Sequence, residues 1–115
     1  MKRDTKEFRS AYHIGGDNWL PTAIYQIVNI YNGRRWIADT YDFNIAKYGQ
    51  LYQLNKGIHP CKDLQDDFNE LGEKGFFFME LEKYINVNEL KNKLDYYRIK
   101  YNASYYEEDD IQPNI

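Results

Sequence analysis

Several features that define common protein classes are scarce in this 115-residue chain, which has one cysteine, three prolines and no long apolar run. With Cys61 alone, neither an internal disulfide nor a zinc cage of cysteines and histidines can form within the chain. The longest apolar run, 75–79, is far shorter than the roughly 20 residues of a membrane helix. The N-terminus lacks the apolar segment of a signal peptide. We therefore expect a cytoplasmic protein with no membrane contact, no structural metal and no cofactor.

A strong basic excess is also missing. The chain has 15 Lys and Arg against 18 Asp and Glu, a net charge of -3. Four of the acids form one run, Glu107-Glu108-Asp109-Asp110, and without that run 14 acids stand against 15 bases. The body is therefore close to neutral, which disfavours a protein that grips a nucleic-acid backbone. We expect the acidic run to be a solvated tail.

Aromatic residues are abundant, at 17% of the chain with 12 tyrosines, and 43% of residues are hydrophobic. That composition excludes disorder for the body and supplies one core, while the length leaves no room for a second domain. We predict three segments: an N-terminal arm over 1–21, a folded domain over 22–104 and an acidic tail over 105–115.

Three strands are predicted. The run 22–30 is rich in β-branched and aromatic residues, and Asn32-Gly33 after it is a strong hairpin signal. A second strand over 34–39 should pair antiparallel with the first. The segment 75–84 contains three consecutive phenylalanines, which indicates a strand with both faces covered.

Three helices are predicted between and after these strands. Asp42 should cap a helix that begins at Phe43 and ends near Asn55. Its expected buried stripe is Ile45, Tyr48 and Tyr52, widened by Leu51 and Leu54.

A second helix should span 62–71, with Gly72 at its end. Asn86 should cap the last helix, which ends near Asn102 and lays Val87, Leu90, Leu94 and Tyr97 on the sheet. The fold class is therefore α+β, a small antiparallel three-stranded sheet flanked by about three helices.

Five short motifs follow one another in a fixed order along these elements. They are Ala23-Ile24-Tyr25, Asn32-Gly33, Trp36-Ile37-Ala38, Leu54-Asn55-Lys56-Gly57-Ile58-His59 and Leu64-Gln65-Asp66-Asp67-Phe68-Asn69-Glu70-Leu71-Gly72. Their order and spacing resemble the GIY-YIG nuclease superfamily, most closely the catalytic domains of phage-type homing endonucleases, over 23–102. The resemblance implies the same α+β fold.

The resemblance also implies a catalytic set. Family members cut phosphodiesters with a tyrosine on each of two strands, an arginine and a histidine on the first helix, and one metal held by a glutamate on the last helix. Tyr25 matches the first tyrosine. The other positions fall on residues that lack the family's chemistry: Trp36, Ala46, Gln50 and Leu94.

The missing groups predict that nuclease activity is lost, because nothing replaces the charge stabilisation that a metal and an arginine provide. Asp95 should point away from the stripe of Leu94, since one residue along a helix turns the side chain by about 100°. His59 matches a histidine of close relatives, although a loop histidine before proline is commonly surface. Lys47 should be rotated away from the cleft.

Two adjacent arginines follow the hairpin. Arg34 and Arg35 should face opposite sides of the sheet and be solvated. We predict no catalytic residues and no metal site, but a vestigial or binding cleft formed by Tyr25, Trp36, Ala46, Lys47, Gln50, His59 and Leu94.

The tyrosines of the helices and the C-terminal segment exceed what a small core can hide, which favours an interface with a protein partner or a second copy. They are Tyr48, Tyr52, Tyr96, Tyr97, Tyr101, Tyr105 and Tyr106.

Four functions follow from these observations. The first is an inactive GIY-YIG-like protein that binds a macromolecule, as a regulator or inhibitor of a host protein made by a phage or mobile element, acting in the host cytoplasm. The second is a nucleic-acid-binding module that combines aromatic rings for stacking with basic residues of the arm, hairpin and first helix: Lys2, Arg3, Lys6, Arg9, Arg34, Arg35 and Lys47. The third is a divergent metal-dependent endonuclease built on Tyr25, Trp36, His59 and Asp95. The fourth is a small-molecule sequestering protein.

Overall fold

The computed structural model describes residues 13–15, 18, 19 and 22–105. A short hairpin of β1 (His13–Gly15) and β2 (Asn18–Trp19) precedes the domain. The rest of the expected arm and nearly all of the expected tail lie outside the described residues, so the three predicted segments remain a prediction.

The central sheet is built around β3 (Thr22–Asn29), all eight residues of which are buried. It pairs antiparallel with β4 (Arg35–Thr40) on one side and with β5 (Phe76–Ile85) on the other. A two-residue strand, β6 (Ser104–Tyr105), adds parallel to β4, so the order is β5-β3-β4-β6. The predicted three-stranded antiparallel sheet is confirmed, with one short parallel strand that the sequence did not indicate.

The predicted hairpin is also confirmed, although its loop is longer than two residues. The Asn29 backbone N–H donates to the Arg34 carbonyl oxygen, and the Asn29 side-chain oxygen accepts from the backbone N–H groups of Tyr31 and Asn32. Gly33 has a φ of 80°, a conformation that suits glycine. The polar side chain of Asn29 therefore organises the turn.

Helix α1 (Phe43–Lys56) begins as predicted, because the Asp42 carboxylate accepts a hydrogen bond of 3.0 Å from the Ile45 backbone N–H. It ends at Gly57, whose φ of 76° provides a left-handed C-terminal cap.

The predicted buried stripe of α1 is wrong. Ile45, Tyr48 and Tyr52 are 54%, 74% and 51% exposed. The helix is turned so that Gln50 is buried, and of the predicted face only Leu54, together with the partly buried Leu51, points to the core. A polar residue faces the sheet because the sheet presents a polar partner there, which a count of apolar residues cannot detect.

Helix α2 (Lys62–Leu71) matches its prediction and buries Leu64 and Phe68. A 3-10 turn, Glu73–Gly75, leads from it into β5. The prediction that β5 is covered on both faces is wrong, because Phe77 and Met79 are 49% and 38% exposed. Among the described strands β5 has a single neighbour, so it is an edge strand that alternates between core and solvent.

Helix α3 (Leu90–Lys100) follows a 3-10 turn, Val87–Glu89. The predicted cap is wrong, since the Asn86 side chain makes no capping hydrogen bond. The 3-10 turn shifts the helix start to Leu90 and so moves Asn86 away from the capping position. Leu90 and Leu94 are buried against the sheet, as the periodicity indicates.

Two apolar clusters fill the core, one on each face of the sheet. Tyr25, Ile27 and Trp36 lie in the cluster on the α1 and α2 face. Ile24 and Ile37, whose side chains point the other way along the same strands, lie in the cluster beneath α3. In the part of the chain that the structure describes, no helix has the length and apolar character needed to cross a membrane.

Candidate functional site

Tyr25 lies near the middle of β3, on the face covered by α1, and is 2% exposed. Its ring centroid is 5.7 Å from that of Phe43, at the start of α1. Its hydroxyl accepts a hydrogen bond of 2.7 Å from the side-chain amide of Gln50, one of the two buried residues of that helix. Gln50, at the position where the resemblance implies a histidine, therefore binds Tyr25 directly.

The same Gln50 side chain joins Tyr25 to His59. The carbonyl oxygen of Gln50 is hydrogen-bonded to Nε2 of His59, while Nδ1 of His59 accepts a 3.0 Å hydrogen bond from the Cys61 backbone N–H. Because Nδ1 accepts, the proton of the neutral ring belongs on Nε2, which donates to Gln50. The tautomer of the His59 ring and the orientation of the Gln50 side-chain amide are therefore consistent with each other.

Gln65 of α2 holds the loop on which His59 lies. Its side-chain oxygen accepts from the His59 backbone N–H at 2.9 Å, and its side-chain nitrogen donates to the Leu54 carbonyl at 3.0 Å and to Asn69 at 2.8 Å. Sequence reasoning did not single out Gln65, although it lies within the quoted Leu64–Gly72 motif. The sequence feature that could have identified Gln65 is a glutamine on the apolar side of an amphipathic helix.

The interpretation of His59 as polar surface is wrong. The residue is 6% exposed, and burial lowers its pKa from 6.5 to about 4. At neutral pH the ring is uncharged, and the hydrogen bond from Cys61 occupies Nδ1. The contacts with Gln50 and Cys61 hold the ring in place in the loop between α1 and α2.

Trp36 faces the same side of the sheet as Tyr25 and is 2% exposed. Its ring packs against Phe76 at 6.5 Å between centroids, and the Arg34 guanidinium lies 5.4 Å from its centroid. An indole has one N–H donor and no proton acceptor. This position therefore supplies bulk to the core.

Ala46 and Lys47 are the α1 residues at and beside the position of the family arginine. Ala46 packs partly buried against the Tyr25 cluster. Lys47 is exposed, and its Nζ lies 5.7 Å from the Phe78 ring centroid. Neither side chain places a guanidinium beside Tyr25.

The hairpin arginines face opposite sides of the sheet, as predicted, but they are not simply solvated. Arg34 forms ion pairs of 3.3 Å with both Asp63 and Asp67, which connect the hairpin to α2. Arg35 donates to the Gln26 side-chain oxygen and lies 5.3 Å from the ring centroid of Tyr101. Both guanidinium groups are committed to contacts within the fold.

The structure does not bring Leu94 together with Tyr25. Leu94 is 2% exposed and belongs to the cluster of Ile24 and Ile37, on the opposite face of the sheet. Asp95 points away from that cluster, as predicted, and pairs with Lys91 at 3.4 Å. The predicted cleft therefore divides into a group around Tyr25, an exposed Lys47, and Leu94 on the opposite face, and its role remains a prediction.

A metal of the family type does not fit these residues. Leu94 offers no oxygen ligand, and the described residues contain no group of three or more His, Cys, Asp or Glu side chains arranged to hold a metal. Glu80 lies opposite Tyr25 in the sheet register, but its carboxylate pairs with Lys83 at 3.5 Å.

A second polar cluster, which sequence reasoning missed, lies at the rim of the α3 face. Glu82 accepts hydrogen bonds from Tyr97 at 2.7 Å and Lys93 at 2.8 Å. The Lys93 hydrogen bond lowers the pKa of Glu82, and burial together with the bond to Glu82 raises the pKa of Tyr97 to about 12. These contacts fasten α3 to β5.

An open hollow of about 300 Å³ lies where β3, β5 and the start of α1 meet, with Asp42, Glu80 and Lys83 in its lining. Thr22, which also lines it, is 1% exposed, and its hydroxyl makes no hydrogen bond in the described part of the chain. The hollow is the feature that bears on small-molecule binding.

The predicted tyrosine surface is divided. Tyr48, Tyr52 and Tyr96 are more than half exposed. Tyr97 and Tyr101 are half-buried and stack, with ring centroids 6.3 Å apart and planes 8° apart. The side chain of Tyr105 and all of Tyr106 lie outside the described residues.

No protein-family model matches the chain, and no curated protein matches it. Two solved structures do. The catalytic domain of the homing endonuclease I-TevI aligns with a TM-score of 0.67 at 24% identity, over 75% of this chain and 98% of that one. A point mutant of the catalytic domain of intron endonuclease I-TevI aligns with a TM-score of 0.64 at 25% identity, over 71% of this chain and 84% of that one. The chain therefore has the GIY-YIG-like α+β fold that its motifs predict.

Proposed function

We propose that this chain is a GIY-YIG-fold protein that does not cleave phosphodiesters and acts by binding another macromolecule, as a regulator or inhibitor of a host protein. The observation that carries the first half is the chain of hydrogen bonds through Tyr25, Gln50 and His59. It uses polar groups at three matched positions for internal contacts, and all three residues are buried.

A catalytic tyrosine must reach its substrate. The Tyr25 hydroxyl lies under α1 and accepts the Gln50 amide, so activating a nucleophile would first require breaking this contact and opening the face. The aromatic packing of Phe43 on the Tyr25 ring adds to that barrier. The geometry favours a structural tyrosine.

Among the residues that the structure describes, no group positioned to hold a metal stands beside Tyr25 either. A metal or a cation at the phosphate contributes several kcal/mol, by order of magnitude, to phosphodiester cleavage. Ala46 stands at the arginine position, and the candidate carboxylate position is Leu94, on the other face of the sheet. Removal of both groups supports loss of cleavage.

The second half of the proposal is supported by exposed apolar residues on α3. Tyr96 and Ile99 are 57% and 70% exposed, one turn apart on the helix. Large, rigid side chains of this kind are typical of protein interfaces. The two solved structures that match this chain are of a homing or intron endonuclease. That likeness suggests a phage or mobile-element origin for this chain and action in the host cytoplasm.

Cleavage tests the first half. Supercoiled plasmid is incubated with the protein and Mg²⁺ or Mn²⁺, with Tyr25→Phe as the matched variant. We expect both proteins to give the same background. Metal-dependent nicking that Tyr25→Phe removes would refute the proposal.

Affinity capture tests the second half. Immobilised wild type and Ile99→Glu are exposed in parallel to lysate of the host, and retained proteins are identified by mass spectrometry. We expect one protein to be retained by wild type and lost with Ile99→Glu. Equal retention by both proteins would remove α3 as the binding surface.

A nucleic-acid-binding module is the second candidate, and a specific observation favours it. The Arg35 guanidinium lies over the Tyr101 ring, and Lys100 Nζ lies 5.6 Å from the same centroid, beside stacked Tyr97. Cations next to aromatic rings suit a single strand. Affinity for a fluorescent oligonucleotide that falls at least tenfold between 50 and 200 mM salt, and weakens in Tyr101→Ala, would favour this function.

The two remaining functions have less support. The divergent nuclease requires Asp95 near Tyr25, and the structure places α3 on the opposite face of the sheet. Small-molecule sequestration depends on the hollow at Thr22, for which metabolite extraction from the purified protein is the direct test.

A further inference from the structure

A continuous stripe runs along the outer surface of α1. It contains Ile45, Tyr48, Gly49 and Tyr52, and it ends at Lys56. At 100° per residue these five positions lie within an arc of about 100°. The three large side chains are each more than half exposed, so the stripe is an apolar surface on a helix whose other side already packs on the sheet. Packing within the fold therefore explains neither why the stripe is apolar nor why it is exposed.

Gly49 in the middle of this stripe has no role within the described fold. Glycine is less favourable than alanine in a helix interior, and its φ here is not positive. A Cβ added at Gly49 would meet nothing within 4 Å among the described residues. A flat position between Ile45, Tyr48 and Tyr52 is what a second helix needs for close approach from outside, because the distance between helix axes depends on the side chains at the contact.

The charges at the ends of the stripe are self-complementary. Asp42, at the start of α1, precedes Gly49 by seven residues, and Lys56, the basic residue of the last turn, follows it by seven. A second copy laid antiparallel, with a two-fold axis at Gly49, brings Asp42 of each copy to Lys56 of the other. The helix dipoles then also oppose, whereas a parallel arrangement would bring like charges together.

From these features we propose that α1 is the contact of a symmetric homodimer, formed by antiparallel packing of the stripe on itself across Gly49. The aromatic rings of Tyr48 and Tyr52 fill the space beside the glycine pair, and the Asp42 to Lys56 pairs close both ends. This inference is independent of the proposed function.

The size of the surface sets the expected strength. From Asp42 to Lys56 the helix spans about 21 Å at 1.5 Å per residue. One helix pair of that length buries less than the roughly 800 Å² per partner of a standard stable interface. The dimer should therefore be weak and reversible, with a dissociation constant on the order of 10 to 100 μM.

Sedimentation equilibrium of the full chain from about 5 μM to 1 mM tests the proposal. We expect the average mass to rise with concentration from 13.9 kDa toward twice that value. Tyr48→Glu should remain monomeric, and Lys56→Glu should raise the dissociation constant about tenfold because the contact occurs twice. Tyr96→Glu, at a tyrosine of α3 that is also more than half exposed, is the control and should dimerise like wild type.

Gly49→Gln separates dimerisation from folding. Glutamine is a better helix former than glycine, and its Cβ meets no described atom within 4 Å, so the substitution should raise the Tm of the monomer by about 4 °C while abolishing dimerisation. A wild type that stays at 13.9 kDa up to 1 mM overturns the proposal. So does a dimer that Tyr48→Glu and Gly49→Gln leave intact, or one that Tyr96→Glu dissociates.

Discussion

Around Tyr25 the chain buries a series of hydrogen-bonded polar groups, whereas around Leu94 it buries aliphatic side chains. On the first face, Gln50 and His59 satisfy one another and the tyrosine hydroxyl. On the second, Leu94 packs with Ile24 and other aliphatic residues beneath α3. The GIY-YIG resemblance assigns Tyr25 and Leu94 to one catalytic centre, yet the sheet separates them.

The two faces depend on different physics. Buried polar groups are stable only when every donor and acceptor has a partner, so the Tyr25 face depends on the identity of each residue. The stability of the Leu94 face depends on side-chain volume and on the exclusion of water. Apolar residues of similar volume can therefore replace one another there, whereas a buried charge is strongly destabilising. Substitutions at the two faces should therefore fail in different ways.

The largest effect is expected for Leu94→Glu, which places a carboxylate where the resemblance implies one. The new charge would lie among Ile24, Ile37 and Leu90 without a cation, and should lower the free energy of unfolding by about 4 kcal/mol or more. Urea denaturation measures the loss, and Leu94→Met is the control, with a loss below about 1.5 kcal/mol. A stable Leu94→Glu protein that binds Mg²⁺ would show that the two faces communicate.

Gln50→Ala should have the next largest effect. It leaves the Tyr25 hydroxyl without its amide donor and His59 Nε2 without its acceptor, both in a buried site, at a cost of about 2–3 kcal/mol. Gln53→Ala on the same helix is the matched control and should change stability by less than about 0.5 kcal/mol. Equal effects of the two substitutions in urea denaturation would contradict the network.

Acid should weaken the Tyr25 face selectively. The pKa of His59 falls from 6.5 to about 4 on folding, so the unfolded chain takes up this proton first. The contribution of His59 to the free energy of unfolding is fully present above pH 6.5, decreases as the pH falls, and is fully lost below pH 4. The expected decrease is up to about 3 kcal/mol.

Comparison of wild type with His59→Gln isolates that contribution, because the two proteins differ at this residue alone. The difference in unfolding free energy between the two should shrink from pH 7 to pH 4. A difference that stays constant over this range would mean that His59 is not desolvated.

The smallest effects concern the helices that cover the two faces. Asp42→Ala removes the side-chain cap of α1 and should cost about 1 kcal/mol. Asn86→Ala before α3 should cost almost nothing, because that side chain makes no capping bond. Thermal unfolding of both variants measures the contrast, and equal shifts in Tm would contradict it.

The sequence allowed the elements and their order to be predicted, because local signals there are strong. Asp42 and Gly57 delimit α1, and the Asn32-Gly33 turn lies in the hairpin loop. These signals depend on residues within a few positions of one another. The short strand β6 left no signal, since two residues carry no periodicity.

Orientation was harder to predict. The apolar stripe of α1 was assigned to the core on hydrophobicity, yet Gln50 faces inward because it meets Tyr25, a contact 25 residues away in sequence. His59 is buried through contacts with Gln50 and Gln65 from two different helices. The division of the predicted cleft between two faces likewise depends on register, which position counting alone does not reveal.

Site-specific paramagnetic broadening by Mn²⁺ tests the absence of a metal centre at Tyr25 most directly. Amide NMR signals of the full chain are followed as substoichiometric Mn²⁺ is added, in wild type and in Tyr25→Phe. We predict weak broadening near exposed carboxylates, unchanged in the variant, and none centred on Tyr25 and Gln50. Saturable broadening centred on these two residues would contradict the account.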